Sequence, residues 1–367
     1  MLLRDYKRIA IVQTAFLGDV ALSLYLAQTL RNLHPEAHIG VVTTPLAAPL
    51  VECARAVNTV VAFDKRGSAR GWRGAYALAQ TLSTYGQYDC ILAVHRSFRT
   101  SLVSKLASVL GSIQAPRRSR LLTVGFDTAS AAWLYDVRTP FQPSLHEAER
   151  ATQILSVFQD VPTNALHHSP QPELHIPEAA EQHVRTLLPQ EFSAQPYCVC
   201  APGSVWATKR WREQGFVELL REGIRRGWRV VLVGSTADTA LCQRIASGVQ
   251  AALPRATPSM LINAAGNTSL PQMLALLRRA SVLVCNDSAP LHLANLVGCP
   301  VVAIFGPTVK EFGFAPRGER DVLLESSLPC RPCSPHGTHH CPLGTHECMH
   351  SVRTHDVVEH VQRLINR

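Results

Sequence analysis

Short apolar segments alternate with amphipathic segments through the first part of the chain. The apolar segments are typical of buried strands, and the segments between them repeat apolar residues at helical spacing. Alternation of strand and helix indicates βαβ units and a parallel sheet with helices on both faces. We predict strands at 8–14, 38–44, 59–64 and 88–94, and helices at 19–33, 72–85 and 99–110.

The pattern breaks between about residues 162 and 196 and then starts again. The stretch "VPTNALHHSPQPELHIPEAAEQ" has several prolines and little apolar periodicity, which predicts a linker. The chain is therefore predicted to be an α/β protein with two Rossmann-like halves, a first domain at 1–175, a second at 190–350 and a C-terminal helix at 351–367. In the second half we predict strands at 197–203, 228–235, 281–287 and 300–306, and helices at 216–227, 239–249 and 270–280.

Composition and charge narrow the class of protein and of partner. The chain has 367 residues, of which 46% are hydrophobic and 17% charged, and this suits a globular protein of two ordinary domains. No secretory signal is visible, so we expect a cytoplasmic protein whose 11 cysteines are not a disulfide framework. The net charge of +9 favours an anionic partner, and nucleic acid, acidic lipid and phosphorylated small molecules all qualify.

Polar side chains follow predicted strands at the edge of a parallel sheet where ligands bind. The stretch "QTAFLGDVALS" places Asp19 after the first strand, as a helix cap or as a carboxylate that can act as a general base. The stretch "APGSVWATKRW" places Thr208, Lys209 and Arg210 on one loop, which suits a diphosphate. A solvated basic loop is the alternative there.

The stretch "CNDSAPLHLANLVGCPVVAIFGPT" places an acid, a hydroxyl and a histidine between two apolar segments. Asp287 or Ser288 can cap the helix that follows, and the N-terminus of that helix favours a phosphate. The alternative is that Asp287 is only a cap and His292 a core histidine. The stretch is long enough to span a bilayer, but its prolines and glycine interrupt it, so we reject a membrane helix.

Together these stretches resemble glycosyltransferase family 9, the ADP-heptose:lipopolysaccharide heptosyltransferases. "FLGDVALSLYLAQTLRNLHPEAHIGVVT" is similar to the amino-terminal motif of the family, "PGSVWATKRW" to its nucleotide-sugar loop and "NDSAPLHLANLVGCPVVAIFGPT" to its carboxy-terminal signature. "YDCILAVHRSFRTSL" and "HEAER" match weaker family positions, so the resemblance extends from about residue 8 to 350. It implies a GT-B glycosyltransferase architecture, in which two Rossmann-like parallel-sheet domains face a cleft, the first binding mainly acceptor and the second ADP-sugar.

The resemblance also implies chemistry and site residues. Asp19 matches the catalytic base, and Lys209 would stabilise the leaving diphosphate during inverting transfer of a heptosyl unit from ADP-heptose to the lipopolysaccharide inner core. Ala289 stands where the family commonly has glycine, and the first loop begins with "TAF" in place of a hydroxyl-rich sequence. No Asp-X-Asp sequence occurs, so we expect no catalytic cofactor or metal. The positions that match nucleotide-sugar contacts are Thr208, Lys209, Asp287, Ser288, Ala289 and His292.

The basic residues of the first half suit the acceptor that the resemblance implies. An anionic, lipid-linked core oligosaccharide would attract arginines, and we expect the protein to act at the cytoplasmic face of the inner membrane. A solvated basic surface is the alternative. The candidate arginines are Arg96, Arg99, Arg117, Arg118 and Arg120.

Near the C-terminus, "CRPCSPHGTHHCPLGTHEC" is a candidate structural zinc site. Four thiols lie within it, but the second pair is separated by six residues where zinc sites usually have two, and reduced loop cysteines are the alternative. His336, His339, His340 or His346 could replace one thiol. The remaining cysteines lie in predicted strands and helices and are expected in the core. The candidate ligands are Cys330, Cys333, Cys341 and Cys348.

Other functions stay open at this point. A glycosyltransferase of the same fold could use another nucleotide-sugar or acceptor. A zinc-containing nucleic-acid-binding protein would fit the charge and the cysteines, but the charges are dispersed and no basic helix with interleaved aromatic residues is present. An NAD-dependent oxidoreductase is disfavoured, because neither half has Gly-X-Gly-X-X-Gly after its first strand.

Overall fold

A computed structural model describes residues 1–114, 120–193 and 195–366 of the chain. Its contacts divide the chain into two compact units, Met1–His175 and Ile176–Arg367.

The first unit is a doubly wound α/β unit. Its strands are β1 (Arg8–Val12), β2 (His38–Thr43), β3 (Thr59–Ala62), β4 (Cys90–Ala93), β5 (Leu122–Phe126) and β6 (Val137–Thr139). Its helices are α1 (Leu17–Leu33), α2 (Ala48–Val51), α3 (Gly71–Gln80), α4 (Phe98–Gln114), α5 (Glu147–Thr152) and α6 (Thr163–His167). Among the described residues, the strands form a parallel sheet in the order β3-β2-β1-β4-β5-β6.

The centre of this sheet is covered on both faces, and the sequence there is apolar for that reason. β4 is buried along its whole length, and β1 is buried except for Arg8. Strands of parallel sheets are continuous apolar segments when helices cover both faces. α1 is buried from Val20 to Leu30, so the helix that follows β1 is also part of the core.

The second unit has the same strand order within its own numbering. Its strands are β7 (Tyr197–Ala201), β8 (Arg229–Leu232), β9 (Leu261–Asn263), β10 (Val282–Asn286), β11 (Val301–Phe305) and β12 (Val322–Glu325). The larger helices are α7 (Glu178–Leu187), α9 (Glu213–Arg225), α10 (Thr239–Ala252), α12 (Leu270–Arg279), α13 (Ala289–Leu296) and α15 (Thr354–Ile365). Three short helices are α8 (Gln190–Ser193), α11 (Thr257–Met260) and α14 (Glu347–His350).

Among the described residues, this second sheet has the order β12-β11-β10-β7-β8-β9, again with parallel neighbours. In each unit the first strand therefore lies beside the fourth, as in the Rossmann order 3-2-1-4-5-6. The strand order changes direction between those two parallel strands. This position is the topological switch point, where ligands bind in such sheets. The parallel α/β sheets that the alternation predicted are confirmed.

The apolar stretch from Cys285 to Thr308 is divided among three elements. It contains the end of β10, the whole of α13 and the whole of β11. Among the described residues, no helix has both the length and the apolar character that crossing a membrane requires. The rejection of a membrane helix in this stretch is confirmed.

The segment predicted as a linker contains helices, so this interpretation was wrong for residues 178–187. Pro177 is the N-cap of α7 and Pro189 follows the helix, so the prolines flank the helix and do not interrupt it. Glu181 of α7 is 4% exposed and forms ion pairs with Arg278 and Arg279 of α12. This segment is thus packed into the second unit.

Candidate active site

The switch point of the second unit is organised by Asn286, the last residue of β10. Its side chain is fully buried, and its Oδ1 accepts the N–H of Trp211 at 3.0 Å. Its Nδ2 donates to the carbonyls of Pro202 at 2.8 Å and Gly203 at 3.4 Å. Asn286 therefore holds both ends of residues 202–211, which we call the donor loop. Asn286 was not predicted as a site residue, although an asparagine at the end of an otherwise apolar strand was the available signal.

An ion pair connects the donor loop to the chain after β10. Lys209 Nζ lies 2.6 Å from Asp287 Oδ2, and the same oxygen accepts the hydroxyl of Thr308 at 2.6 Å. The two charged side chains are only 13% and 9% exposed. An ammonium group has three donors, and one of them is used by Asp287 among the described residues, which leaves two for a second anion. The structure brings Lys209 and Asp287 together as one polar site.

The N-terminus of α13 lies directly beside this ion pair in sequence. Ser288 is the N-cap, and its side chain makes no capping bond to the helix. Asp287 is not a cap, because its carboxylate contacts Lys209 and Thr308. Ala289 is the first helical residue and does not need the left-handed conformation that would favour glycine. The positive end of the helix dipole favours an anion here.

Other residues predicted for the donor site have structural contacts. His292 is 5% exposed, with its ring centroid 6.1 Å from that of Phe314. The hydroxyl of Thr208 donates to the carbonyl of Thr338 at 2.8 Å. Arg210 Nε donates to the carbonyl of Ser204 at 2.8 Å. Each of these contacts is within the second unit, so they shape the donor loop and the helix that follows β10.

The switch point of the first unit contains a partly buried hydroxyl–imidazole pair. Thr14, which follows β1, has its Oγ1 2.9 Å from Nδ1 of His95, which follows β4. Lys65 Nζ donates to the carbonyl of Thr14 at 2.5 Å. Burial, with the charges of Lys65 and Arg96, lowers the pKa of His95 to about 4. The imidazole is therefore neutral at physiological pH.

Asp19 is the third residue of α1, in the loop-to-helix junction that follows β1. The N-cap is Phe16, so the alternative in which Asp19 caps the helix is wrong. The carboxylate is half-buried in the first turn, where the helix dipole stabilises a negative charge. Because α1 is the first helix after β1, Asp19 follows the carboxyl end of that strand. This is the ligand-binding side of a parallel sheet.

Glu147, the first residue of α5, is a second carboxyl close to Asp19. The pKa of Glu147 is raised to about 6, mainly by burial. The positive charge of Arg150 lowers this pKa, and the negative charge of Asp19 raises it further. Arg150 Nη1 lies 2.5 Å from Glu147 Oε2. Glu147 lies in the segment "HEAER" that matches a weaker family position, but no role was predicted for it. The guanidinium of Arg150 also donates to the carbonyls of Gln142, Pro143 and Leu145.

The arginines predicted for the acceptor fall into different places. Arg96 is exposed, with its guanidinium carbon 3.9 Å from the ring centroid of Phe141. Arg99 is half-buried and donates to the carbonyl of Lys65 at 2.8 Å. Both follow β4 at the ligand-binding edge.

Arg120 precedes β5 and therefore lies at the opposite edge of the sheet. It forms an ion pair with Asp136 at 2.5 Å, and this contact is sufficient to explain its position. Arg117 and Arg118 lie outside the described residues. An acceptor role for these three arginines stays a prediction.

The seven cysteines outside residues 330–348 are buried thiols of strands, helices and their ends, as expected, and burial raises the pKa of Cys285 and Cys90 well above the usual range. Cys348 of the C-terminal segment is also buried, in α14 and in the core of the second unit. In residues 330–348, the main-chain N–H groups of His346 and its neighbours lower the pKa of Cys341. Among the described residues, no three His, Cys, Asp or Glu side chains are grouped so that they could hold a metal ion. Zinc at Cys330, Cys333, Cys341 and Cys348 stays a prediction.

Two units of Rossmann strand order, one of them with a lysine and a helix N-terminus suited to a diphosphate, are the features expected of a nucleotide-sugar glycosyltransferase of the GT-B class. The family model for glycosyltransferase family 9 (heptosyltransferase) matches residues 75–342. The chain belongs to this family and is a glycosyltransferase. The alternatives of a nucleic-acid-binding protein and an oxidoreductase are therefore not supported.

Individual relatives agree with the family over most of the chain. Lipopolysaccharide heptosyltransferase 2 of Salmonella typhimurium is 25% identical over 311 residues, which cover 83% of this chain and 84% of the relative. The glycosyltransferase family 9 structure from Veillonella parvula has a TM-score of 0.81 at 19% identity, covering 100% of this chain and 98% of that one. The ADP-heptose lipopolysaccharide heptosyltransferase II structure from Escherichia coli has a TM-score of 0.75 at 23% identity, covering 98% of each chain. At these identities the two structures show the GT-B fold alone.

Proposed function

We propose that the chain transfers a heptosyl unit from ADP-heptose to the lipopolysaccharide inner core, with inversion at the anomeric carbon. The observation that carries the proposal is the Lys209–Asp287 ion pair beside the N-terminus of α13. The names of the relatives, a lipopolysaccharide heptosyltransferase 2 and an ADP-heptose lipopolysaccharide heptosyltransferase II, support the choice of donor and acceptor.

The donor is bound by the second unit through its diphosphate. Lys209 directs its two remaining donors to the phosphate oxygens, and the N–H groups of the first turn of α13 add to the positive field. As the glycosidic bond to the diphosphate breaks, ADP leaves with additional negative charge. A cation already fixed by Asp287 needs little reorganisation to stabilise that charge, which is how preorganised sites lower barriers.

The acceptor is activated by Asp19 on the first unit. An acceptor hydroxyl attacks the anomeric carbon, its oxygen forms the new bond, and its proton passes to the Asp19 carboxylate. A single displacement of this kind inverts the configuration at the anomeric carbon. The half-buried position of Asp19 in the first turn of α1, directly after β1, supports this role, because ligands bind beyond the carboxyl ends of parallel strands.

The acceptor and the membrane are the remaining parts of the proposal. Arg96 and Arg99 are the described candidates for anionic groups of a lipid-linked core oligosaccharide, because both lie at the ligand-binding edge of the first sheet. We infer that the protein works in peripheral contact with the cytoplasmic face of the inner membrane, where such an acceptor is reached. The net charge of +9 supports attraction to an anionic surface.

A structural zinc ion at the four C-terminal thiols is a separate proposal. Its support is the sequence: four thiols lie within residues 330–348, and the first two have the Cys-X-X-Cys spacing. Elemental analysis of protein purified without a metal-affinity tag should give about one zinc per chain. A metal-free protein with unchanged melting would remove zinc and leave the transferase proposal intact.

The donor assignment is tested by a mass-spectrometric screen of nucleotide-sugars with purified protein and a heptose-deficient lipopolysaccharide core. We expect ADP-heptose to add one heptosyl unit to the core, and ADP to raise the melting temperature, because it binds the folded state. Transfer from another nucleotide-sugar, with no thermal shift by ADP at millimolar concentration, would contradict the donor while leaving the glycosyltransferase class unchanged.

A further inference from the structure

Residues 330–348, which we call the cysteine segment, are bonded to the donor loop through Thr338. The main-chain N–H of Thr338 donates to Thr208 Oγ1 at 2.8 Å. The carbonyl of Thr338 accepts the Thr208 N–H at 3.1 Å and the Thr208 hydroxyl at 2.8 Å. A longer contact of 3.5 Å joins the two hydroxyls, so four hydrogen bonds fix one residue of the donor loop against a residue 130 positions away.

His346 fixes the same residue from its other side. Its Nε2 lies 2.6 Å from the carbonyl oxygen of Thr208. A carbonyl only accepts, so Nε2 carries the proton and donates it. Thr208 is 3% exposed, and its N–H, hydroxyl and carbonyl are all bonded to the cysteine segment, where a solvated loop would use water.

Gly337 allows the two segments to approach this closely. Its φ of +87° is in the left-handed region that favours glycine. A Cβ there would lie 2.9 Å from Trp206 Cβ and 3.1 Å from Lys209 Cγ. The main chain of the cysteine segment therefore lies directly against the side chain of Lys209, with no room for an added methyl group.

Arg331 makes a comparable contact on the Asp287 side. Its side chain is 6% exposed, and Nη2 donates to the carbonyl of Thr308 at 2.8 Å and to Glu325 Oε2 at 2.7 Å. Nε also donates to the carbonyl of Gly306. Since the hydroxyl of Thr308 donates to Asp287, the cysteine segment is bonded to the chain on both sides of the Lys209–Asp287 pair.

We propose that the cysteine segment is the positioning element of the donor site. Thr338 and His346 set the position of Thr208 and so of Lys209, while Arg331 sets Thr308 and so Asp287. Thr208 becomes a positioning residue, because its one hydroxyl proton is donated to Thr338 and is not available to a phosphate oxygen. This inference rests on the proposed function, in which Lys209 binds the diphosphate of the donor.

The test compares ADP affinity by calorimetry, and the KM for donor and for acceptor, in His346→Ala and His346→Gln. Losing one net hydrogen bond corresponds to about two- to tenfold in an equilibrium constant. We expect His346→Ala to weaken ADP binding and raise the donor KM by about that factor, with the acceptor KM unchanged. His346→Gln has an amide that can donate to the Thr208 carbonyl, and it should recover most of the affinity.

His350→Ala is the matched control. His350 is exposed, and its ring centroid lies 5.5 Å from that of His346, but no described bond joins it to the donor loop. It should bind ADP as the wild type does. Should His346→Ala fail to fold, the comparison moves to Thr208→Val against Thr208→Ser, and the variant that keeps the hydroxyl should bind ADP more tightly.

Three results would overturn the proposal. The first is wild-type ADP affinity in His346→Ala. The second is an equal loss of ADP affinity in His346→Ala and His350→Ala. The third is equal ADP affinity in Thr208→Val and Thr208→Ser. A wild-type protein that does not bind ADP at all would instead contradict the proposed function, and the inference would fall with it.

Discussion

Substitution of Lys209 by methionine separates the structural role of the ion pair from its role in binding. The variant keeps the apolar stem but leaves the Asp287 carboxylate, 9% exposed, with the Thr308 hydroxyl as its remaining described polar partner. Removing one partner of a buried pair costs about 3–5 kcal/mol. The remaining hydrogen bond reduces this to about 2–4 kcal/mol. For a unit of this size the melting temperature should fall by roughly 5–15 °C.

The double variant Lys209→Met with Asp287→Asn removes the stranded charge. The amide oxygen can still accept the Thr308 hydroxyl, so most of the lost stability should return. ADP affinity should not return, because a hydrogen bond to a charged group contributes about 1.5–3 kcal/mol, or roughly 10- to 100-fold in affinity. Thermal melts with and without ADP, together with calorimetric titration, measure the two effects separately.

Each outcome has a clear consequence for Lys209. Wild-type ADP affinity in the double variant would refute the contact between Lys209 and the diphosphate. An unchanged melting temperature in the single variant would instead refute the stabilising effect of the ion pair. Recovery of stability without recovery of binding is the combination that the structure predicts.

Three further measurements follow from individual side chains. Asn286→Ala loses three hydrogen bonds to the donor loop, so it should lower the free energy of unfolding by about 2–4 kcal/mol and weaken ADP binding. A wild-type melting curve would contradict this expectation. His95 has a pKa of about 4 in the folded protein, against an ordinary value of 6.5. Between these two pH values the unfolded chain takes up a proton that the folded protein does not. The contribution of His95 to stability is therefore complete above pH 6.5, and up to about 3 kcal/mol of it is lost as the pH falls towards 4. His95→Gln should lack that part of the pH dependence in denaturant melts. In Asp19→Asn the pKa of Glu147 should fall below its wild-type value of about 6, because a nearby negative charge is removed, and a carboxyl titration by NMR checks it.

Apolar patterning was sufficient for the strands that support the site. β4, β7 and β10 are buried along their whole length, so each is a continuous apolar segment in the sequence apart from Asn286, the last residue of β10. The internal strand β5 was missed, although four of its five residues are buried. The edge strands β6, β9 and β12 were missed as well. They have three or four residues each and are partly exposed, so neither length nor periodicity distinguishes them from loops.

The residue types of the candidate site were visible in the sequence, but their partners were not. Lys209 was expected on a diphosphate loop, yet its pairing with Asp287 depends on β7 and β10 being neighbours in the sheet. The bonds between Thr208 and Thr338 join segments 130 residues apart, and no local pattern predicts them. Packing decides such contacts, whereas periodicity reports only which face of an element is buried.

The central claim, that Asp19 is the general base of an ADP-heptose-dependent transfer, is tested most directly by the turnover of Asp19→Asn. The amide keeps the shape of the side chain but cannot take the proton of the acceptor hydroxyl, and loss of general-base assistance costs about 10²–10⁴-fold in rate. The assay follows ADP release from ADP-heptose with a heptose-deficient lipopolysaccharide core, alongside ADP affinity. The account predicts at least about a hundredfold slower turnover with wild-type ADP binding and near-normal melting. Near-normal turnover in Asp19→Asn would contradict it and assign the base to another residue.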